Sequence, residues 1–144
     1  MTAVLQIIGN DGVDMCVKTR VERVSLRLSV FLFSATRQAC AVYLKNRVHN
    51  SYVVDTTRQR PDQLLIPESD RNALKASIFP LIIASPSKAI SSQLANTLRT
   101  IVSHDFPDQW LDLSGTIKTL LSSRNVREVT AGCTAILEVI KVFR

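Results

Sequence analysis

The sequence predicts an all-α chain of stacked helical hairpins, and three observations carry that prediction. Only four glycines and 6% aromatic residues accompany a 46% apolar content rich in Leu, Ile, Val and Ala, which suits packed helices better than a turn-rich sandwich. Apolar residues recur at three- and four-residue steps, the period of one helix face. Helix-start signals at Ser69 and Ser87 return at Pro107 and Asn125, so Ser69 to Pro107 and Ser87 to Asn125 each span 38 positions. At 144 residues the chain has the length of one domain with a real core, residues 1–144.

Local chemistry justifies the elements in order. Ala3 to Ile8 reads as the end of a helix, and Gly9-Asn10-Asp11-Gly12 as a turn, because Gly and Asn tolerate positive φ. In the stretch 16–34, Val17, Val21, Val24, Leu28, Phe31 and Leu32 share a helical face opposite Arg20, Arg23 and Arg27, while an alternating strand from Ser25 to Phe33 competes with it. From Thr36 to Val48, Cys40, Tyr43, Leu44 and Val48 fall on one helical face, and a polar loop, 49–68, follows.

Pro67 and Ser69 then open a helix, with Ser69 offered to an orphan amide and Asp70 near the positive end of the dipole. Leu74, Ile78, Leu81 and Ile82 form its stripe up to about Ala84, and Pro80 is expected to kink or break it near the third turn. After Ser85-Pro86-Ser87, the stripe Ile90, Leu94, Leu98, Ile101 and Val102 defines the next helix, with Lys88 and Arg99 outside it. Pro107 suits the first turn of a third helix, in which Trp110, Leu113, Ile117, Leu120 and Leu121 pack inward. Gly115 weakens that helix by about 1 kcal/mol relative to Ala. Asn125 caps a last helix in which Val129, Cys133, Ile136, Leu137, Ile140 and Phe143 keep helical time. The total is about two and a half hairpins. Their period lies between the about 34 residues of tetratricopeptide units and the about 40 to 47 of HEAT and armadillo units, nearer the latter.

Several function classes lose ground at this stage. No apolar run reaches the about 18 residues of a membrane span. The N-terminus lacks the pattern of a secretory signal, so a reducing compartment is expected. Cys16, Cys40 and Cys133 then read as buried structural thiols, and with no close Cys or His partner no metal site is expected. Half of the +6 net charge sits in 16–34, where Lys18, Arg20, Arg23 and Arg27 face Glu22 alone. Arg58 and Arg60 beside Pro61 have no aromatic ladder to stack bases, so a solvated loop is expected there rather than a nucleic-acid site. His104 and Asp105 read as local capping groups. No nucleophile stands at a diagnostic spacing from them, so neither catalysis nor a cofactor is expected.

Four segments carry a resemblance: ACAVYLKNR at 39–47, SDRNALK at 69–75, SSQLANTLRTIVSHDFPDQW at 91–110 and REVTAGCTAILEVIKVFR at 127–144. In combination and at these separations they are similar to the N-terminal region of the importin-β family, most like its importin-seven and importin-eight branch. The resemblance covers about three quarters of the chain, and 16–34 interrupts it as an insertion. It implies a HEAT-repeat (ARM-type) right-handed superhelix whose N-terminal repeats bind the Ran GTPase in its GTP state. It also implies phenylalanine-glycine nucleoporins on the outer face, cargo proteins on more distant repeats, and a place in the nucleus, the cytoplasm and the nuclear envelope. Tyr43, Lys45 and Asn46 fall on the family's YLKN motif, and Asn96 and Arg99 on the corresponding helix of the next repeat; the resemblance implies that both helices line the inner surface. Lys45, Asn46 and Arg99 are the expected polar contacts to the GTPase. The plainer alternative packs Tyr43 between helices and uses Asn46 to satisfy a helix end. A long array is needed to wrap cargo, so this chain is expected to be a truncated receptor contributing surface without chemistry. The rival reading is a generic HEAT-repeat scaffold that binds some other protein and ignores Ran.

Overall fold

The computed structural model describes residues 30–52 and 65–144, which form five α-helices and no strand. These are α1 (Val30–Ser51), α2 (Glu68–Ile83), α3 (Lys88–Asp105), α4 (Leu113–Leu121) and α5 (Val126–Phe143). The all-α expectation is met. The helix end at Ala3 to Ile8, the turn at 9–12, the alternatives for 17–29, Cys16 and the Arg58/Arg60 pair lie outside the described residues. α1 is longer than its stripe suggested, extending to Val30 on one side and Ser51 on the other.

Two of the expected caps form. The Ser87 hydroxyl accepts from the Ile90 amide at 3.3 Å, and the Asn125 side chain accepts from the Arg127 amide at 3.0 Å. Ser69 does not cap α2. The carbonyl of Pro67 accepts from the amides of Asp70 and Arg71 at 3.0 Å each, so the helix has begun before Ser69 is reached. Nor does Pro80 break α2, which continues to Ile83. Pro80 deprives the Ala76 carbonyl of its helical donor, but both residues are exposed, where water replaces that donor, and buried Phe79, Leu81 and Ile82 hold the turn in place.

The third helix departs most from expectation: α4 opens at Leu113, not at Pro107. Residues 106–112 make turns instead, with the Gln109 amide on the Asp105 carbonyl at 2.7 Å and the Leu113 amide on the Trp110 carbonyl at 3.3 Å. These turns bury the Trp110 indole against Phe79, ring centroids 6.2 Å apart, and burying so large an apolar surface outweighs continuing a helix from the proline. The second helices of the hairpins, α3 from Lys88 and α5 from Val126, therefore keep the 38-residue period, and the first helices do not.

Two layers result. α1 packs on α3 and α3 on α5, while α2 lies against α3 and α5, and α4 against α5. Tyr52 just after α1 meets His104 and Asp105 at the end of α3, so these two helices run parallel. Between the layers, Leu44 and Val48 of α1, Leu74 and Ile78 of α2, the whole expected stripe of α3, and Leu113 and Ile117 of α4 make one continuous core. The α5 face differs from the expected one, because Ala131, Gly132, Ala135 and Glu138 are buried while Cys133, Leu137, Ile140 and Phe143 are exposed. Small residues let α4 approach closely. A Cβ built on Gly132 would lie 3.0 Å from Leu121 Cδ2 and 3.2 Å from Leu120 Cβ. Thus the thiol of Cys133 is on the surface rather than in the core, and that of Cys40 is half-buried, its pKa raised by burial.

Candidate functional site

The face of the α1/α3/α5 layer turned away from α2 and α4 is a wall of exposed side chains. In α1, Ala41, Leu44 and Val48 are spent on the core, so the residues three and four positions along the other side, Ala39, Tyr43 and Asn46, stand in solvent. Tyr43 is 59% exposed, and does not pack between helices as the plainer reading held. Lys45 is half-buried beside that face. In α3 the same side carries exposed Ser92 and Ser103 with half-buried Asn96 and Arg99 between them. One repeat further, Thr130, Thr134, Leu137 and Lys141 of α5 continue the rows. Tyr43, Lys45, Asn46, Asn96 and Arg99 thus belong to two neighbouring helices of a single layer.

Arg99 does not stand alone there. Its Nε donates to Glu138 Oε2 at 2.6 Å and an Nη joins the same oxygen, while Lys141 Nζ donates to Oε1 at 2.6 Å. Glu138 is buried, and two cations from adjacent helices satisfy both of its oxygens. The sequence reading missed Glu138 and Lys141. The signal was present, because Arg99 and Glu138 are 39 residues apart, one repeat plus one, and Lys141 follows Glu138 by one helical turn.

A second cluster sits at the ends of α1 and α3. Tyr52 donates its hydroxyl to Asp105 Oδ2 at 2.7 Å, Lys75 pairs with the same oxygen at 2.6 Å, and Lys75 also donates to the Gln109 carbonyl at 3.1 Å. The Arg71 guanidinium lies 4.9 Å from the centre of the Tyr52 ring. Burial, and then the bond to Asp105, push the Tyr52 phenol well above its ordinary pKa. Asp105 is therefore a tertiary anchor and not a local cap. Among the described residues, no group of three His, Cys, Asp or Glu side chains is placed to hold a metal ion, and no helix is long and apolar enough to cross a membrane.

On the opposite side of the molecule an open groove of about 530 Å³ runs between α2 and the 106–112 turns. Phe79 and Trp110 form its base, with Pro80 and exposed Leu111 on its rims.

No family model matches the chain, and no solved structure matches it either. Curated proteins do. The chain is 32% identical to importin-8 of Danio rerio over 110 residues, covering 74% of this chain and 10% of that protein. It is 36% identical to exportin-2 of Drosophila melanogaster over 78 residues, 54% of this chain and 8% of the relative. It is 26% identical to the importin alpha re-exporter of Saccharomyces cerevisiae over 118 residues, 82% of this chain and 11% of the relative. The matched stretch thus spans about a tenth of the length of these relatives.

Proposed function

Because this chain belongs to the importin-β family of nuclear transport receptors, we propose that its α1/α3/α5 wall grips the Ran GTPase in its GTP state, as part of a karyopherin taking part in protein import into the nucleus. The observation that carries this reading is the wall itself. Tyr43, Asn46, Asn96 and Arg99 project from parallel helices whose opposite faces are locked into one core, so a partner meets groups that need no backbone reordering. Tyr43 supplies apolar area with a polar tip, Lys45, Asn46 and Asn96 supply hydrogen bonds, and Arg99 supplies charge. The outer groove over Phe79 and Trp110 is the surface offered to phenylalanine-glycine nucleoporins. Cargo proteins are held by other parts of the receptor, which works between cytoplasm and nucleus and at the nuclear envelope.

Immobilised Ran loaded with GTP or GDP tests the reading. The GTP form is expected to capture the chain preferentially, and Tyr43→Ala and Asn46→Ala, both at exposed positions, are each expected to weaken capture about tenfold. Equal capture by both forms, or none, returns the chain to a HEAT-repeat scaffold without Ran binding.

A further inference from the structure

We infer that Arg99 and Lys141 form an anion-binding pair on the seam between α3 and α5, fixed in place by Glu138, and that its ligand is a carboxylate on an acidic segment of a partner protein. The inference rests on the wall being a partner surface but not on the partner being Ran. Donor counting supports it. The guanidinium has five N–H donors, of which two go to Glu138, and the ammonium has three, of which one goes to Glu138. Two cations around one carboxylate leave the triad with a net positive charge. Glu138 has both oxygens engaged inside the seam, so it cannot also satisfy the remaining outward donors.

Exposure and order add to the case. The Arg99 side chain is 40% exposed and that of Lys141 51%, while the carboxylate they share is buried. Long cationic side chains ordinarily lose rotamer freedom on binding, and here that loss has already occurred on folding. An arginine fork also matches the two oxygens of a carboxylate. The neighbouring side chain on the wall is Leu137, 56% exposed, which offers apolar contact to a residue beside the incoming acid. Tyr43, the aromatic side chain of this wall, stands on α1 and not on the α3/α5 seam, and a single ring is no stacking ladder, so an acidic peptide fits better than a nucleic-acid strand.

Titration of the 144-residue chain with a hexaglutamate peptide, followed by the NMR signals of the arginine Nε–H and lysine ammonium groups, decides the matter. Saturable shifts are expected at Arg99 and Lys141, with Arg99→Gln and Lys141→Gln each weakening binding about tenfold, and Lys88→Gln leaving it unchanged. Lys141→Gln keeps the Arg99–Glu138 pair, so its melting temperature checks that lost binding is not lost folding, and Arg99→Lys is expected to recover part of the affinity. Shifts spread evenly over Lys88 and Arg127, wild-type binding by Lys141→Gln, or tighter binding of hexauridylate would each overturn the assignment. Failure to bind Ran with hexaglutamate binding intact would sink the Ran reading alone, and the reverse result would sink this one alone.

Discussion

Asp105 illustrates what one buried carboxylate does in this molecule. It accepts from Tyr52, 53 residues earlier in the chain, and pairs with Lys75 of α2, so it ties the end of α1 and the middle of α2 to the end of α3. Tyr52→Phe removes one of those bonds and is expected to cost about 1 to 2 kcal/mol. Asp105→Ala, which leaves the buried Tyr52 hydroxyl without its acceptor and the partly covered Lys75 ammonium with the Gln109 carbonyl alone, is expected to cost about 2 to 3 kcal/mol. A pH dependence follows from the same bond. The phenol ionises above its ordinary value of 10.0 in the folded state, so the stability it contributes is complete below that value and is lost as the pH rises above it. Denaturant unfolding at successive pH values above 10 is expected to show stability falling by up to about 1.4 kcal/mol per pH unit, with the slope reduced in Tyr52→Phe. A wild-type slope equal to that of the variant would remove Tyr52 as its source. The sequence concealed this cluster, because His104-Asp105 at a helix end also has a local explanation and neighbours in sequence say nothing about a partner 53 residues away.

At the scale of elements, legibility followed how much of each helix is enclosed. The α3 stripe was readable throughout because α1, α2 and α5 all press on that helix, and every large apolar residue in it serves the core. In α2, Leu74, Ile78, Leu81 and Ile82 were readable for the same reason. The α5 helix misled because its most buried face is built from Ala131, Gly132 and Ala135, and of its large residues Ile136, Val139 and Val142 only partly pack on the core while Leu137, Ile140 and Phe143 turn outward. The start of α4 misled because Pro107 favours a first helical turn locally, whereas the Trp110 indole finds its burial against Phe79 only in the folded chain. Two glycines separate these effects. Gly115 has open space where a Cβ would go, so Gly115→Ala is expected to stabilise by about 0.5 to 1 kcal/mol through helix propensity. Gly132→Ala gains the same propensity but drives a Cβ to within 3.2 Å of Leu120 Cβ, next to the α4 backbone, and is expected to destabilise. Thermal melts of the two variants should move in opposite directions. Parallel shifts would mean that α4 and α5 do not pack as closely as described.

The whole molecule divides its two layers between different tasks. α2 and α4 cover the core from one side, and α1, α3 and α5 present a wall on the other, with Tyr43 and Asn46 at one edge and Leu137 and Lys141 at the other. Of the five residues singled out from the sequence, Tyr43 and Asn46 stand exposed on this wall, Asn96 and Arg99 lie on it half-buried, and Lys45 is half-buried beside it. They were legible through the YLKN segment and the stretch at 91–110 that resemble the importin-β family, and not through the 38-residue period, which relates α3 to α5 but not α1 to α3. Glu138 and Lys141 escaped notice because a pairing across adjacent helices requires knowing which helix lies next to which. The most direct test of the wall as the Ran-binding surface is an NMR footprint of the isotope-labelled chain with Ran·GTP. Shifts are expected at Tyr43, Asn46, Asn96, Arg99 and Leu137, with Lys118, Leu111 and Gln109 on the other layer undisturbed, and with Ran·GDP producing none. Shifts confined to α2 and α4, or identical shifts with both nucleotide forms, would contradict it.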